Sequence, residues 1–304
     1  MFKLKSFSTL FLILFTLMIA LPLSASAGSD LSPYFSAGTV NGSVADTAGK
    51  VKASLASAGF EVIGEYSPEG KQSFKVIIYT RSDLKNTALK VADRGLLAAA
   101  LKVGLTEKGG KTSVSMVNPE YLFRGYLTKN FDKHEAILKT VSEDAKKAVS
   151  SVGGTLKPFG GNLSAKALKR YHYMFGMEYF SDPVKLGKFD SFEKGLETIE
   201  KNLASKIAGT KKVYSIIDPA TKTAVFGIAL EDPDKGEQFF LPIIGEKHLS
   251  AMPYEMILQG DTATMLHGRF RIALHWPSLT MVTFTKIITT PGAINNTLKQ
   301  ISEN

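Results

Sequence analysis

Apolar and polar residues alternate along 263–276, and this is the clearest two-residue period in the chain. In a β-strand successive side chains point to opposite faces, so the pattern predicts a strand with one buried face. The opposite face then carries two histidines and two arginines. The two faces comprise Leu266, Gly268, Phe270, Ile272, Leu274 and Trp276, and Met265, His267, Arg269, Arg271, Ala273 and His275.

A helix is the competing interpretation of the same segment. Its apolar residues also fit helical spacing, at Leu266, Phe270, Ala273 and Leu274. The threonines at 262 and 264, and Gly268 within the segment, favour the strand. We therefore expect a strand that presents a cationic face from a rigid sheet.

The pattern of the first half predicts alternating helices and strands. Apolar residues recur at helical spacing from Val44 to Ala58, and Gly59 ends that helix. Residues 28–43 contain Ser, Gly and Pro and predict a flexible arm ahead of it. The predicted elements are helix 44–58, strands 60–66 and 74–80, a mainly helical 84–100, strands 101–106 and 112–117, and helix 135–149.

A glycine-rich stretch divides the chain. Residues 150–162 hold four glycines and a proline, which disfavour regular structure, so we place a linker at 152–163. A short helix follows from Ser164, and Asp190 with Glu193 can cap a longer one. The further predicted elements are that helix at 192–207, strands 213–217, 224–230, 239–244 and 254–258, and then the 263–276 strand.

The two halves share an order of elements, which indicates an α+β fold built from two similar units. Each unit is predicted as helix-strand-strand-helix-strand-strand-helix, with a mainly antiparallel sheet covered by helices. The units span 44–151 and 164–304. Asn118-Pro119 in the first falls opposite Trp276-Pro277 in the second, where each proline closes a strand.

The beginning of the chain has the pattern of a secretory signal peptide. Lys3 and Lys5 precede an apolar run over 7–23, and Ala25-Ser26-Ala27 precedes Gly28. A basic start, an apolar stretch and a small-residue cleavage site predict a signal peptide at 1–27 and a secreted, periplasmic protein. An uncut membrane anchor is the alternative, although the run is short for a full span. After cleavage no remaining segment approaches membrane-spanning length.

Composition narrows the classes of partner. The chain has 304 residues and a formal charge of +9, which falls to +7 when Lys3 and Lys5 leave with the signal peptide. The summed field favours acidic partners, anionic lipid headgroups or anionic small molecules. Basic residues are scattered among acidic ones, so no nucleic-acid-binding patch is expected. Without cysteine there are no disulfides, thiolate metal sites or cysteine nucleophiles.

Four stretches of the first half carry a resemblance to a known family. They are Ala53–Phe60 before a strand, Phe74–Tyr79, Gly95-Leu96-Leu97, and Val114–Leu122 with its Asn118-Pro119-Glu120-Tyr121-Leu122. They resemble the bacterial domain of unknown function family 302, and the second half is similar mainly at Met252-Pro253-Tyr254-Glu255 and the strand after it. The resemblance implies an α+β sandwich that can self-associate, for example as a homodimer, and no activity. It also implies two copies in tandem, and whether they pair within the chain is left open.

The cationic face of 263–276 is the candidate ligand site. Arginine binds carboxylates and phosphates through paired hydrogen bonds, so Arg269 and Arg271, with His267 and His275, predict binding of a small anion. A plain solvated sheet face is the alternative, because Arg and His are ordinary residues there. We expect a non-catalytic protein that binds an acidic ligand, an envelope component or a protein partner, without a cofactor.

An enzyme is a second hypothesis. A hydrolase could use His267 or His275 as general base together with Glu255 or Asp261. This requires that folding bring an imidazole beside a carboxylate in a concave site, which the spacing of these residues does not establish.

Metal handling is a third hypothesis. A cysteine-free periplasmic copper protein depends on imidazole and thioether ligands, which His172, Met174 and Met177 supply. The aromatic residues around them indicate ordinary packing instead, because methionine packs against aromatic rings in many protein cores.

Overall fold

The computed structural model describes residues 30–303, and the predicted signal peptide 1–27 lies outside them. Its first half contains a six-stranded sheet and the helices that pack on it. Three 3₁₀ segments, Pro68–Gly70, Gly95–Ala99 and Thr128–His134, join these elements. In chain order the elements are β1 (Asp30–Leu31), β2 (Tyr34–Asn41), α1 (Val44–Ser57), β3 (Glu61–Tyr66), β4 (Phe74–Thr80), α2 (Ser82–Leu89), β5 (Leu101–Lys108), β6 (Lys111–Val117), α3 (Pro119–Leu127), α4 (Glu135–Gly153) and β7 (Lys157–Phe159).

The second half contains a five-stranded sheet and its own helices. Its 3₁₀ segments are Ile207–Gly209 and Glu246–Ala251. The elements are β8 (Leu163–Ser164), α5 (Ala165–Leu168), β9 (Val184–Lys188), α6 (Phe192–Ala204), β10 (Thr210–Asp218), β11 (Thr223–Leu230), α7 (Glu237–Ile244), β12 (Tyr254–Gln259), β13 (Thr262–Met265), α8 (Gly268–His275), α9 (Met281–Lys286) and α10 (Thr290–Ile301).

Two antiparallel sheets form the framework of the described chain. The first has the strand order β3-β4-β5-β6-β2-β7, and the second has the order β10-β11-β12-β13-β9. β1 and β8 form a separate two-stranded ribbon. The α+β fold with mainly antiparallel sheets, predicted from the sequence, is confirmed.

The helix predicted at 44–58 shows why the sequence patterns hold in the first half. Ser43 caps α1 by accepting a hydrogen bond from the backbone N–H of Asp46 at 3.1 Å. The apolar positions of the predicted stripe, Val44, Ala48, Val51 and Leu55, are all buried. Helix α4 packs beside α1, and the Ser54 hydroxyl donates to the carbonyl of Ala148 at 2.8 Å.

The two halves are in direct contact. The 3₁₀ segment Glu246–Ala251 packs against β5 and β6. At Gly104 on β5 a Cβ atom would lie 2.8 Å from the backbone nitrogen of Ser250, so a side chain there would force the halves apart. The interior therefore continues from one sheet to the other.

The flexible arm predicted at 28–43 is wrong. Residues 28 and 29 lie outside the described residues, and eight of the residues 30–43 form β2, which pairs with β6 on one side and β7 on the other. The serines and glycines that suggested a loop are accommodated by backbone pairing, and Gly38, at φ 90°, follows the bulge in this strand. The linker predicted at 152–163 is also partly ordered, because α4 continues to Gly153 and β7 occupies 157–159.

The strand predicted at 239–244 is wrong as well. These residues form α7, in which Phe240, Leu241 and Ile244 are buried and Pro242 is exposed. A short apolar run fits either a buried strand or a helix, and only burial at three- and four-residue spacing separates them. The cap of α6 is Ser191, which accepts from the backbone N–H of Lys194, and not Asp190.

Membrane-spanning helices were sought over residues 30–303. No helix in that range combines the length and the apolarity needed to cross a bilayer.

Candidate ligand-binding groove

The strand predicted at 263–276 is wrong beyond its first residues. β13 ends at Met265, the chain turns at Leu266, and α8 begins at Gly268. The His267 imidazole accepts a hydrogen bond from the backbone N–H of Arg269 at 3.3 Å and so caps the helix. The helical spacing of the apolar residues, which competed with the two-residue period, decides the structure here.

Because the segment is helical, the four basic side chains do not share a face. Arg271 and His275 are each only 2 % exposed, whereas His267 and Arg269 reach the surface. The predicted four-residue cationic patch is therefore wrong as a single site. It divides into a buried pair and a surface pair.

Arg271 is a structural residue of the interior. Its Nη2 donates to the carbonyl oxygens of Ala251 at 2.7 Å and Pro253 at 3.2 Å, and to Glu255 Oε2 at 3.3 Å. The guanidinium lies 3.8 Å from the centre of the Tyr254 ring. Arg271 thus holds the segment before β12 against α8 and has no access to a ligand from solvent.

Glu255 lies between two buried cations. It pairs with Arg271 on α8 and with Lys102 on β5. Burial lowers the pKa of Lys102, and Arg271 beside it lowers that pKa further, although Glu255 opposes both effects. Glu255 is fully engaged by these two partners and is not available as a catalytic base.

His275 has two tyrosine partners. Its Nε2 lies 2.9 Å from the Tyr126 hydroxyl and its Nδ1 lies 3.3 Å from the Tyr34 hydroxyl. Burial lowers the pKa of His275, with Arg271 and Lys102 adding to the effect, so the imidazole is neutral.

The acid–base pairs proposed for an enzyme do not form. Asp261 lies on the turn before β13, where it pairs with Lys188 at 3.6 Å, and Glu255 is held by buried cations. The carboxylate beside His267 is Glu178, whose Oε2 lies 3.5 Å from the imidazole Nδ1. Neither His267 nor His275 has Glu255 or Asp261 among its hydrogen-bond or ion-pair partners.

A groove with two lobes surrounds the surface pair. One lobe, called the polar lobe because it holds the basic side chains, has a volume of about 430 Å³ and is lined by His267, Arg269 and Asn295 together with the apolar residues Val184, Phe284, Ile288 and Pro291. The apolar lobe has a volume of about 390 Å³. Arg269 and Phe284 line both lobes, so the two lobes adjoin at these residues beside α8 and α9. The apolar lobe is lined by Tyr173, Met174, Met177, Ile272, Ala273, Trp276, Leu279, Met281 and Phe284.

Exposed apolar side chains cluster around this groove. Phe175 is 99 % exposed and Val282 is 72 % exposed, and Met174, Met281 and Ile288 are also exposed. Contiguous exposed apolar surface of this kind marks sites for ligands or partners in soluble proteins. Trp276 is buried in the wall of the apolar lobe, and within residues 30–303 its indole N–H has no hydrogen-bond partner.

The residues considered for metal binding lie on two different surfaces. Met174 and Met177 line the apolar lobe, whereas His172 lines an adjoining depression and stacks on Tyr179 with ring centres 4.4 Å apart. Across residues 30–303, no three or more histidines, aspartates and glutamates form a group suited to a metal ion.

Sequence reasoning missed Glu178 and Asn295. Glu178 pairs with both His267 and Arg269 although it precedes them by about ninety positions, and no local pattern links the two segments. Asn295 lies on α10, in a stretch for which no element was predicted. Only the tertiary fold brings these residues to the groove.

Comparison with known families identifies the first half. Residues 37–152 match the family described as domain of unknown function DUF302. The chain is similar to that family over this part. The groove lies outside it, because its lining residues all follow position 170.

One solved structure is similar to part of the chain. The crystal structure of an uncharacterized conserved DUF302 protein from Bacillus stearothermophilus is 20% identical and has a TM-score of 0.29. The match covers 38% of this chain and 95% of that protein. No curated protein matches the chain.

Proposed function

We propose that this protein is an exported, non-catalytic binding protein that holds a small amphipathic molecule with an acidic group. The observation that carries the proposal is the two-lobed groove, in which an apolar lobe and a polar lobe meet at Arg269. Small-molecule sites are typically concave, mostly apolar, and supplied with a few polar groups that fix orientation. Export is supported by the signal-peptide pattern at 1–27.

The polar lobe favours an acidic headgroup. Arg269 and His267 are the basic side chains in its wall, and Asn295 adds an amide beside them. Glu178 engages both basic groups. A ligand carboxylate would take the place of this side chain, because an arginine fork accepts either carboxylate in the same geometry.

The apolar lobe favours an alkyl chain or a ring system. Three methionines line it, and methionine side chains adapt to ligands of different shape because they are unbranched and flexible. A volume of about 390 Å³ lies within the range of known small-molecule sites. A hydrolytic role is not proposed, since Glu255 and Asp261 pair with cations and not with His267 or His275, and Glu178 beside His267 also pairs with Arg269.

The experiment compares probes that differ only in their headgroup. Dodecanoate, dodecanol and dodecyltrimethylammonium are titrated below their micelle concentrations into the mature protein, with isothermal calorimetry and thermal unfolding as readouts. We expect dodecanoate to bind more tightly than the other two. Arg269→Ala should weaken dodecanoate binding about tenfold, the size of one charge-assisted hydrogen bond. Lys299→Ala, an exposed lysine of α10 outside the groove, is the matched control.

Two further variants test the groove itself. Glu178→Gln removes the competing carboxylate and should tighten dodecanoate binding. Met281→Glu places a charge at the exposed edge of the apolar lobe and should weaken the binding of all three probes. Equal affinity for dodecanoate in the wild type, Arg269→Ala and Met281→Glu would reject the proposal.

A further inference from the structure

The two sheets carry β-bulges at matching positions. The register of β3 with β4 shifts between Val62 and Gly64, and the register of β10 with β11 shifts between Lys212 and Tyr214. In both sheets the bulge lies on the outermost strand, next to the second strand of a hairpin. Gly64 and Tyr214, which follow the bulges, therefore occupy corresponding positions.

The correspondence can be followed across each sheet. Gly64 on β3 pairs with a residue of β4, and that residue pairs in turn with Lys102 on β5. Tyr214 on β10 pairs with a residue of β11, and that residue pairs in turn with Glu255 on β12. Lys102 and Glu255 are thus equivalent positions of the two halves.

The opposite side of each sheet gives the same answer independently. Gly38 follows the bulge in β2 and pairs with a residue of β6. That residue pairs in turn with the position on β5 that lies three residues after Lys102. Gly187 follows the bulge in β9 and pairs with a residue of β13. That residue pairs in turn with the position on β12 that lies three residues after Glu255. Two separate paths therefore align the same two residues.

The helices that follow extend the alignment. Gly38 pairs with Val114 and Gly187 pairs with Ala263. Helix α3 begins five residues after Val114, and helix α8 begins five residues after Ala263. Position 125 therefore corresponds to 274, and position 126 corresponds to 275.

Each of these residues contacts its own equivalent. Lys102 forms an ion pair with Glu255, and the Tyr126 hydroxyl lies 2.9 Å from His275 Nε2. A Cβ atom on Gly125 would lie 3.1 Å from a methyl group of Leu274, and one on Gly64 would lie 3.0 Å from Tyr214 Cβ. In a twofold arrangement a residue meets its own equivalent only on the axis, so four such contacts define an axis between the halves.

We propose that the two halves are diverged copies of one unit that pair through the same face about an approximate twofold axis, so that the chain is a dimer folded within one polypeptide. The copies now differ in complementary ways at the axis. A cation faces a carboxylate at 102 and 255, a small residue faces a large one at 125 and 274, and a hydroxyl faces an imidazole at 126 and 275.

This complementarity restricts the partner that the face accepts. Two identical first units would place lysine against lysine at the axis, and two identical second units would place leucine against leucine and glutamate against glutamate. Like charges in a buried contact and overpacked helices both oppose association. The face therefore fits the other half of the same chain and not a second copy of either half.

Exchange of the residues at the axis tests the proposal. Gly125→Leu and Leu274→Gly should each lower the Tm by about 5–10 °C, through overpacking and through a cavity respectively. The exchanged variant with both substitutions should unfold at a higher temperature than either single variant, because the two helical positions are related by the axis. An exchanged variant that loses as much as the two single variants together would overturn the proposal.

The chain offers a matched control. A Cβ atom on Gly195 of α6 would lie 3.0 Å from a methyl group of Leu258 on β12, so this pair also places a glycine tightly against a leucine. These positions are not equivalent, since one is helical and the other lies in a strand. Gly195→Leu with Leu258→Gly should therefore show no recovery over its single variants.

A second measurement holds even where the exchanged variant does not fold. A protease site is inserted between Phe175 and Gly176 of the full chain, in the exposed segment before β9, the strand that corresponds to β2, and the folded protein is cut there. We expect the two fragments to elute together as a one-to-one particle and to separate only in denaturant. Fragments that separate under native conditions would reject the paired face.

Discussion

Glu237 is a buried carboxyl group whose surroundings favour its protonated form. Burial raises the pKa of Glu237 to about 8 against the opposing hydrogen bonds from the Tyr66 hydroxyl, 2.8 Å from Oε1, and the Leu230 N–H, and Glu231 and Glu69 raise it slightly further. In the unfolded chain the same group titrates near 4.5. The folded state therefore keeps a proton that the unfolded state has lost between these two pH values.

The consequence is a loss of stability as pH rises. The contribution of Glu237 is fully present below pH 4.5 and declines as pH rises through 8, by about 1.4 kcal/mol for each pH unit in between. Glu237→Gln keeps an acceptor for Tyr66 and has no proton to lose. Relative to wild type, we expect this variant to gain about 2 kcal/mol in the free energy of unfolding between pH 6.5 and 8.

Urea unfolding at these two pH values checks the expectation, with the exposed Glu246→Gln as control. An equal change in both variants would contradict it. The buried His248 and His275 do not change the free energy of unfolding between pH 6.5 and 8, because their lowered pKa values affect stability only as pH falls below 6.5.

The residues of the groove show what a linear sequence can reveal. His267 and Arg269 were predicted as ligand-binding residues, and the structure places both at the polar lobe. Arg271 and His275 were predicted with them, because in a strand all four would share a face. A helix turns each successive residue by about a hundred degrees, which carries these two into the interior.

At the scale of elements, three of them meet at a buried charge cluster. Lys102 comes from β5, Glu255 from β12 and Arg271 from α8. Two cations share one carboxylate there, and the lowered pKa of Lys102 reduces the resulting imbalance. Removal of the carboxylate leaves buried cations without a partner, whereas removal of Lys102 leaves a balanced pair.

This arrangement predicts unequal effects of substitution. We expect Glu255→Gln to cost about 3–5 kcal/mol of unfolding free energy, and Lys102→Met to cost clearly less, because its apolar chain replaces the lysine stem. Urea unfolding at pH 7 measures both. Glu197→Gln, which breaks the exposed pair with Lys194, is the control and should change little. Similar losses for Lys102→Met and Glu255→Gln would contradict the charge argument.

Elements with a long, consistent period were predictable from sequence, and short apolar ones were not. Helix α1 and the strands of the β3–β4 hairpin follow directly from spacing and turn residues. The segments 239–244 and 266–276 satisfy two periods at once, and tertiary burial decides between them. β2 was missed for a different reason, since its composition resembles a loop and its stability comes from neighbours on both sides.

At the scale of the whole molecule, export is the prediction that remains to be measured. The sequence places the cleavage site after Ala27. Mass spectrometry of the protein isolated from its native envelope fraction should find a mature chain beginning at Gly28 and carrying two fewer positive charges. Recovery of the intact chain from the membrane fraction would favour an uncut anchor instead.

The contact between the halves also affects solubility. Unpaired strand edges can recruit other chains and begin aggregation. β3 and β10, one outer strand from each sheet, lie against each other at Gly64, where a Cβ atom would stand 2.5 Å from the carbonyl oxygen of Val213. The remaining outer strands are poor templates, because β7 is three residues long with Pro158 at its centre and β9 carries lysines at 185 and 188. The outer strands of the two large sheets are thus closed to intermolecular strand pairing at high concentration, in a protein that has no disulfides to hold its strands in place.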